Sequence, residues 1–473
     1  MKTIIIADDL TGALDTGVQF AAASLRTQVC VDAAVPAQEW ERADTQVLCI
    51  NAGTRHLSPE EAYCIVYDLC VQSKEHGASC VYKKTDSALR GNVGAELSAM
   101  RAALSLDSVP FVPSYPALGR VVSEGILYID GIPAAQTALG HDPFDPLTSS
   151  CVHDLLQKTA SREGAANIDV YDAKSDADME RIGDALGGRI FFSAGCSGFA
   201  QILAGKLSGH SDSCTGQTDL SGEDSPVSYE SIPEDPAGNS PGDSAGNSPA
   251  DPAGNSPEDP AGNSPAFPTR GVLVICGSLH ANSLAQVQMA ASCGYPVHSV
   301  SGDGARNVSR DVFRDVSGDV FRDVSGDISR DVFRDVPGDG SFETFSVTEQ
   351  ISDELCTAGI SILATSDPEE GPSHIHTVSA DLKTAVERSV ASIAHSLCSS
   401  GKVNTLCVFG GDTLSCVMHA LDIASIQVQR ELLPGIVLGK ARVQGRQLSI
   451  ISKAGSFGSP DLISFLFPLS SKS

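Results

Sequence analysis

TIIIADDLTGALDTG, at residues 3–17, is the stretch from which the rest of the fold can be read. Thr3 to Ala7 is a short apolar run without polar alternation, which suits a strand buried on both faces. Asp8-Asp9-Leu10-Thr11-Gly12 then supplies turn and capping residues, and helical patterning sets in near Asp15 and runs to Leu25. A buried strand entering a helix through a polar turn is one unit of a parallel sheet covered by helices. The unit recurs. Val47 to Ile50, Ser79 to Tyr82, Pro110 to Val112, Ile190 to Phe192, Val272 to Cys276, Leu406 to Phe409 and Leu448 to Ile451 read as further strands. Glu60 to Glu75, Asn92 to Leu104, Ala380 to Cys398 and Thr413 to Leu421 read as helices. The expected class is α/β, with two domains, each a mainly parallel sheet flanked by helices, and with ligands beyond the carboxyl ends of the strands.

Two biased segments set the domain boundaries. Residues 219 to 268 repeat DPAGNSP with variations and hold ten of the 25 prolines, ten acids and no Lys or Arg, so they read as a disordered Pro/Gly/Asp-rich linker. A repeat built from RDVFRDVSGD fills about 303–340, with nine Asp against six Arg, and reads as a surface insertion. The expected division is 1–215, a linker at 216–269, and 270–473. Of the net charge of −27, about −14 lies outside the biased segments. That sign argues against nucleic-acid or anionic-membrane binding, both of which need clustered cations. No secretory leader pattern and no apolar run near the ~20 residues of a membrane span is present, so the chain reads as cytosolic. The 14 cysteines are scattered singly and read as reduced, mostly buried hydrophobes. No spacing assigns a metal site; His374 and His376 fall in a Pro/Gly/Ser-rich stretch that reads as a loop.

The chemistry-bearing residues follow the strands. Asp8 and Asp9 can hold Mg²⁺ through water or take a proton from a hydroxyl, or Asp9 can simply cap the helix. Asn51-Ala52-Gly53-Thr54-Arg55 follows the second strand and Lys83-Lys84-Thr85-Asp86-Ser87-Ala88-Leu89-Arg90-Gly91-Asn92 the third. Arginines that grip a carboxylate, beside Asp and Ser that bind hydroxyls, suit a small anionic, hydroxylated ligand. Pro113 to Arg120 adds a third arginine-bearing loop. In the C-terminal part, Gly277-Ser278, Gly410-Gly411-Asp412-Thr413 and Lys453-Ala454-Gly455-Ser456-Phe457-Gly458 follow strands, and glycines there let backbone N–H groups approach phosphate. Neither a P-loop nor a dinucleotide fingerprint occurs.

In order, ADDLTGALDTG (7–17), KKTDSALRGN (83–92), PSYPALGR (113–120), FGGDT (409–413) and KAGSFG (453–458) resemble the four-carbon acid sugar kinase family, over residue 3 to about 466. The resemblance implies a sugar-acid-binding N-terminal domain, an ATP-binding C-terminal domain, and phosphorylation of the terminal hydroxyl of threonate, erythronate or a 3-oxo-tetronate with ATP and Mg²⁺. It implies Asp9 and Asp86 as catalytic, Asp8, Arg55, Lys84, Ser87 and Arg90 as substrate-binding, and Ser278, Gly410, Gly411, Asp412, Thr413 and Gly455 as nucleotide-binding. The partners expected are the sugar acid and ATP, with a homo-oligomer left open. The competing expectation is a ligand-binding or regulatory protein that keeps the fold without turnover.

Overall fold

The computed structural model describes residues 2–141, 146–160, 167–211, 267–277, 281–301, 304–308, 341–365, 380–454 and 457–469. In the N-terminal part, the strands are β1 (Thr3–Ala7), β2 (Thr27–Cys30), β3 (Val47–Asn51), β4 (Cys80–Lys84), β5 (Val109–Val112), β6 (Arg120–Ser123), β7 (Ile126–Ile129), β8 (Ile132–Pro133), β9 (Ile168–Val170) and β10 (Ala194–Gly195). Its helices are α1 (Leu10–Ala22), α2 (Ala37–Glu41), α3 (Pro59–Glu75), α4 (Val93–Leu104), α5 (Val152–Thr159), α6 (Asp176–Leu186) and α7 (Ser197–Ser211). The C-terminal part adds strands β11 (Val272–Cys276), β12 (Val297–Ser301), β13 (Gly304–Val308), β14 (Ile360–Ala364), β15 (Thr405–Phe409), β16 (Ser425–Leu433), β17 (Ile436–Val443) and β18 (Arg446–Lys453). Its helices are α8 (Ala281–Ser292), α9 (Ser341–Thr357), α10 (Ala380–Ser399), α11 (Gly411–Ala420) and α12 (Leu462–Leu466).

The class is α/β, as the recurring strand–turn–helix units predict. β1, β3, β4, β5, β11 and β15 are buried at every position, which is why they appear in the sequence as mainly apolar runs without polar alternation; β4 alone ends in two buried lysines. The main sheet has the order β13-β12-β14-β11-β15-β18-β17-β16-β2-β3-β1-β4-β10-β5-β9 and is mostly parallel; β6, β7 and β8 form a small separate sheet. The two parts of the chain therefore share one sheet, joined where β16 pairs antiparallel with β2. Ser425 reinforces the joint with hydrogen bonds to Gln28 (2.7 Å) and Glu39 (2.9 Å), and one apolar core runs across it from Ile5, Val18 and Val29 to Val408, Val417 and Ile426.

Two features position the site. Asn51, Ala7, Lys84, Gly195 and Val112 are direct neighbours across β3, β1, β4, β10 and β5, so five strands end flush. Ala364, Cys276, Phe409 and Lys453 do the same across β14, β11, β15 and β18. The loops that leave these ends form two continuous rims.

The structure corrects three local expectations. α1 begins at Leu10 rather than near Asp15, because Asp9 caps it by accepting a hydrogen bond from Gly12 N. Ile190 to Phe192 is not a strand. It closes a 3₁₀ turn, Gly187–Phe192, in which only Ile190 is fully buried, and the strand is the two-residue β10 beyond it. Lys83 and Lys84 are the last two buried residues of β4, not the start of a loop. The linker lies outside the described residues except at its end, where Phe267 already packs edge-on against Phe467. Most of the 303–340 repeat also lies outside them; its first residues form β13, antiparallel to β12. Among the described residues no helix is long and apolar enough to cross a membrane and most cysteines are buried free thiols.

Candidate active site

At the first rim, a cluster of acids and cations assembles from three loops. Arg55, after β3, donates to Asp8 Oδ2 through Nε (2.8 Å) and to Asp9 Oδ2 through Nη1 (2.8 Å), and its Nη2 lies 3.7 Å from Asp86 Oδ1. Asp9 Oδ2 also accepts from Thr11 Oγ1 at 2.7 Å. Asp86, after β4, receives Arg90 in a two-pronged grip, Nε to Oδ2 at 2.8 Å and Nη2 to Oδ1 at 3.0 Å. The backbone N–H groups of Ala88 and Arg90 bind the same Oδ2 at 3.2 and 3.3 Å. This tight turn holds Leu89 at φ 60°, a left-handed conformation uncommon for a branched side chain. Gly91 follows at φ 83°, where a Cβ would stand 3.3 Å from the Arg55 carbonyl, so glycine lets the two arginine loops close on each other.

Electrostatics follow from this wiring. Burial alone would raise the Asp9 carboxyl, but Arg55 and Lys84, with the Thr11 and Gly12 hydrogen bonds, hold it below the usual carboxylate range. For Asp86 burial is again outweighed, here by Arg90, Arg55 and Lys84, and its carboxyl lies far below that range. Lys84 is buried, yet Asp8, Asp9, Asp15 and Asp86 together push its ammonium up. Its Nζ lies over Gly12, 3.0 Å from where a Cβ would stand. Lys83 points to the opposite face of β4 and pairs with Glu96 of α4 at 2.9 Å, both fully buried, so it is not part of the site.

The structure adds residues that sequence reading missed. One oxygen of Asp15 accepts a hydrogen bond from Ser197, at the start of α7, and Ser197 meets Thr16 Oγ1 at 3.1 Å. Tyr115 and Glu431 of β16 lie within electrostatic range of Asp15. The sequence signal for Asp15 is its place one helical turn beyond Gly12, on the same face; Ser197 and Glu431 carry none. Arg120, by contrast, does not join the cluster: it opens β6 and donates to the Leu118 carbonyl. Ser87 is half-buried in the Asp86 turn.

At the second rim, Gly410 caps α11 at φ 106°, ψ 134°, and Thr413 is buried. Gly277 packs so closely on Thr413 that any Cβ would overlap its hydroxyl. Asp412 is exposed, while Ser278 and Gly455 lie outside the described residues, as do His374 and His376. Lys453, unassigned from sequence, is fully buried and donates to Ser283 Oγ (3.0 Å) and to the Phe457 (3.0 Å) and Ala454 (3.2 Å) carbonyls, which ties down the loop after β18. Burial pulls its ammonium down to about 8, against a smaller opposing pull from Cys276 and Cys407. Between that value and the ordinary 10.5 the unfolded chain binds the extra proton, so folding stability should rise with pH across this window by on the order of 3 kcal/mol. Denaturant titrations from pH 7.5 to 10.5 should show the rise, and Lys453→Met should remove it.

The two rims meet. A Cβ on Gly411 would stand 3.3 Å from Thr11 Oγ1 and 3.5 Å from Asp9 Oδ2, so the N-termini of α1 and α11 face one another across a bare glycine. Asp8 Oδ1 is buried without a hydrogen-bond partner among the described residues. These residues contain no group of three or more acids, histidines or cysteines that could hold a metal ion. Mg²⁺ needs less, because it is commonly bound through one or two carboxylates, substrate phosphates and water, and an unpaired buried carboxylate oxygen suits it.

The comparisons with known proteins divide along the same line. A family profile described as a sugar-binding N-terminal domain matches residues 3–169, and one described as a nucleotide-binding C-terminal domain matches residues 329–463. D-threonate kinase of Bordetella bronchiseptica is 35% identical over 218 residues, covering 42% of this chain and 54% of the relative. D-threonate kinase of Salmonella typhimurium is 38% identical over 157 residues, 33% of this chain and 36% of the relative. D-erythronate kinase of Heliobacterium modesticaldum is 35% identical over 157 residues, 33% and 35%. The matches thus span about half the length of the first relative and about a third of the other two. Solved structures of a Salmonella typhimurium LT2 protein (TM-score 0.65, 19% identity) and a Haemophilus influenzae protein (TM-score 0.60, 17% identity) each align over 98% of both chains and show the same fold. With a sugar-binding profile on the acid–arginine half, a nucleotide-binding profile on the glycine-loop half, and kinases of four-carbon acids among its relatives, the chain belongs to the four-carbon acid sugar kinase family.

Proposed function

We propose that the protein transfers the γ-phosphoryl group of ATP to the terminal hydroxyl of a four-carbon sugar acid: threonate, erythronate or a 3-oxo-tetronate. The observation that carries this reading is the approach of Gly411, at the N-terminus of α11, to Asp9 and Thr11, at the N-terminus of α1. Transfer needs acceptor and donor in line and cations around the developing charge, and this junction brings an anion-binding helix start to an acid-, lysine- and arginine-lined rim.

Residues 1–215 bind the acid and 270–473 the nucleotide. Arg90 uses Nε and Nη2 on Asp86, and its Nη1 has no hydrogen bond among the described residues, so that nitrogen can take the substrate carboxylate. Arg55 is already committed to Asp8 and Asp9 and fixes their geometry. Lys84 neutralises charge on the transferred group. The backbone of Gly410, Gly411, Asp412 and Thr413 receives the nucleotide phosphates, with Ser278 and Gly455 on neighbouring loops. Asp8, through its unpaired Oδ1, is the carboxylate suited to Mg²⁺, which when bound would offset phosphate charge.

The test is ADP release with ATP and Mg²⁺ against D-threonate, L-threonate, D-erythronate and 3-oxo acids. ADP should form only with a four-carbon acid present. A folded, ATP-binding protein that releases none supports the non-catalytic alternative. Arg90→Ala should weaken acid binding by about 2–4 kcal/mol, because it removes a charge-assisted contact in a largely buried site, and leave ATP affinity within about twofold. Calorimetric titration of both ligands checks this; loss of ATP affinity would sink the division of labour.

A further inference from the structure

The transfer reaction needs a proton acceptor, and the carboxylates nearest the arginines are poorly placed for it. Both oxygens of Asp86 are held by Arg90. Asp9 accepts from Gly12 N at Oδ1 and from Thr11 and Arg55 at Oδ2; Asp8 accepts from Arg55 at Oδ2, and its other oxygen, though unpartnered among the described residues, is buried and is the one suited to Mg²⁺. Asp15 differs. Its Oδ2 accepts one hydrogen bond, from Ser197, its Oδ1 has none among the described residues, and its side chain is half-buried rather than sealed. It sits one turn from Gly12, whose missing side chain leaves the slot occupied by Lys84 Nζ.

We propose that Asp15, positioned by Ser197, is the general base that accepts the proton of the attacking hydroxyl. This rests on the phosphoryl-transfer reading above. The hydroxyl O–H bond breaks and its proton passes to Asp15 Oδ1; the substrate's hydroxyl oxygen bonds to the γ-phosphorus, and the γ-phosphorus bond to the bridging oxygen of ATP breaks. ADP leaves with that electron pair, and Asp15 returns its proton to solvent. Lys84 stands beside the acceptor position on the same side of α1, so charge neutralisation and proton removal act on adjacent atoms.

The surroundings of Asp15 favour this task. The groups facing it are Lys84 from β4, Asp9 from its own helix start, Cys196 and Ser197 at α7, Tyr115 from the loop after β5, and Glu431 from β16. Burial raises its carboxyl above the usual value, Lys84 and Ser197 partly oppose this, and Asp9 reinforces it. Asp9 and Asp86 are shifted the other way. A carboxylate with raised proton affinity is the better base.

Asp15→Asn keeps the shape and an oxygen for Ser197. It should lower kcat by about 10²- to 10⁴-fold, the usual worth of a general base, move either KM by less than about threefold, and remove the acidic limb of the kcat–pH profile. Ser197→Ala removes a hydrogen bond to the ionised carboxylate, so it should move that limb to higher pH. Turnover by Asp15→Asn within about threefold of the parent, an unchanged acidic limb in both variants, or a raised KM with unchanged kcat would each overturn the assignment while leaving the kinase reading intact. A parent protein that binds ATP but turns over none of the acids would overturn both.

Discussion

Lys83→Met should cost about 3–5 kcal/mol of folding stability, whereas Lys84→Met should leave a folded protein with phosphoryl transfer reduced by about two orders of magnitude or more. The two lysines are adjacent in sequence and both buried, yet strand geometry sends them to opposite faces of the sheet. Lys83 Nζ pairs with Glu96 and also donates to the Lys84 carbonyl at 2.7 Å. Glu96 in turn accepts from Thr54 Oγ1. Removing Lys83 strands a fully buried carboxylate between α4 and the sheet. Lys83→Met with Glu96→Gln should recover much of the loss, because neither half then leaves a buried charge. Lys84 is different, since among the described residues it makes no ion pair within 4 Å and the arginines continue to balance the acids around it. Its ammonium is free to meet an incoming anion. Denaturation midpoints for all three variants, with kcat for Lys84→Met, check the contrast; equal destabilisation by both single changes would show that Lys84 is a structural ion as well.

Arg55→Ala should weaken the loss of stability on acidification, through Asp9. In the parent, the carboxyls of Asp9 and Asp86 lie below their unfolded values, so the stability they contribute is present above about pH 4 and is lost as pH falls through their folded values. Arg55 makes 2.8 Å contacts with Asp8 and Asp9 and lies 3.7 Å from Asp86. Without it, three buried or half-buried carboxylates face one another with only Lys84 and Arg90 left to balance them. Asp86 keeps Arg90, but Asp9 loses the largest of the pulls that offset its burial, so its carboxyl should rise toward the unfolded value and its share of the acid-side slope should disappear. A loss of about 3–5 kcal/mol near neutral pH is expected, and the gap to the parent should narrow as pH falls through about 4. Chemical denaturation from pH 3 to 7 gives the slope directly, and a parent-like slope in the variant would mean that Asp9 is balanced elsewhere.

The sequence by itself determined the α/β class and the position of the rims. β1, β3, β5, β11 and β15, and the apolar stretches within β4 and β18, were legible because a strand buried on both faces must be mainly apolar, and their ends were legible because polar and glycine residues follow at once. The acids, arginines and glycines of the candidate site were legible for the same reason. Only the tertiary structure decided what each charged side chain does. Which of Lys83 and Lys84 faces α1 depends on strand phase against a particular helix, and consecutive residues of identical chemistry carry no such information. Arg55 and Arg90 look equivalent in sequence, but one is taken up by Asp8 and Asp9 while the other keeps a nitrogen outward. The joint between β2 and β16, and the hydrogen bond from Ser197 to Asp15 across 182 residues, join segments that local pattern cannot relate. Periodicity reports how a segment is buried; the partner that buries it is set by chain topology.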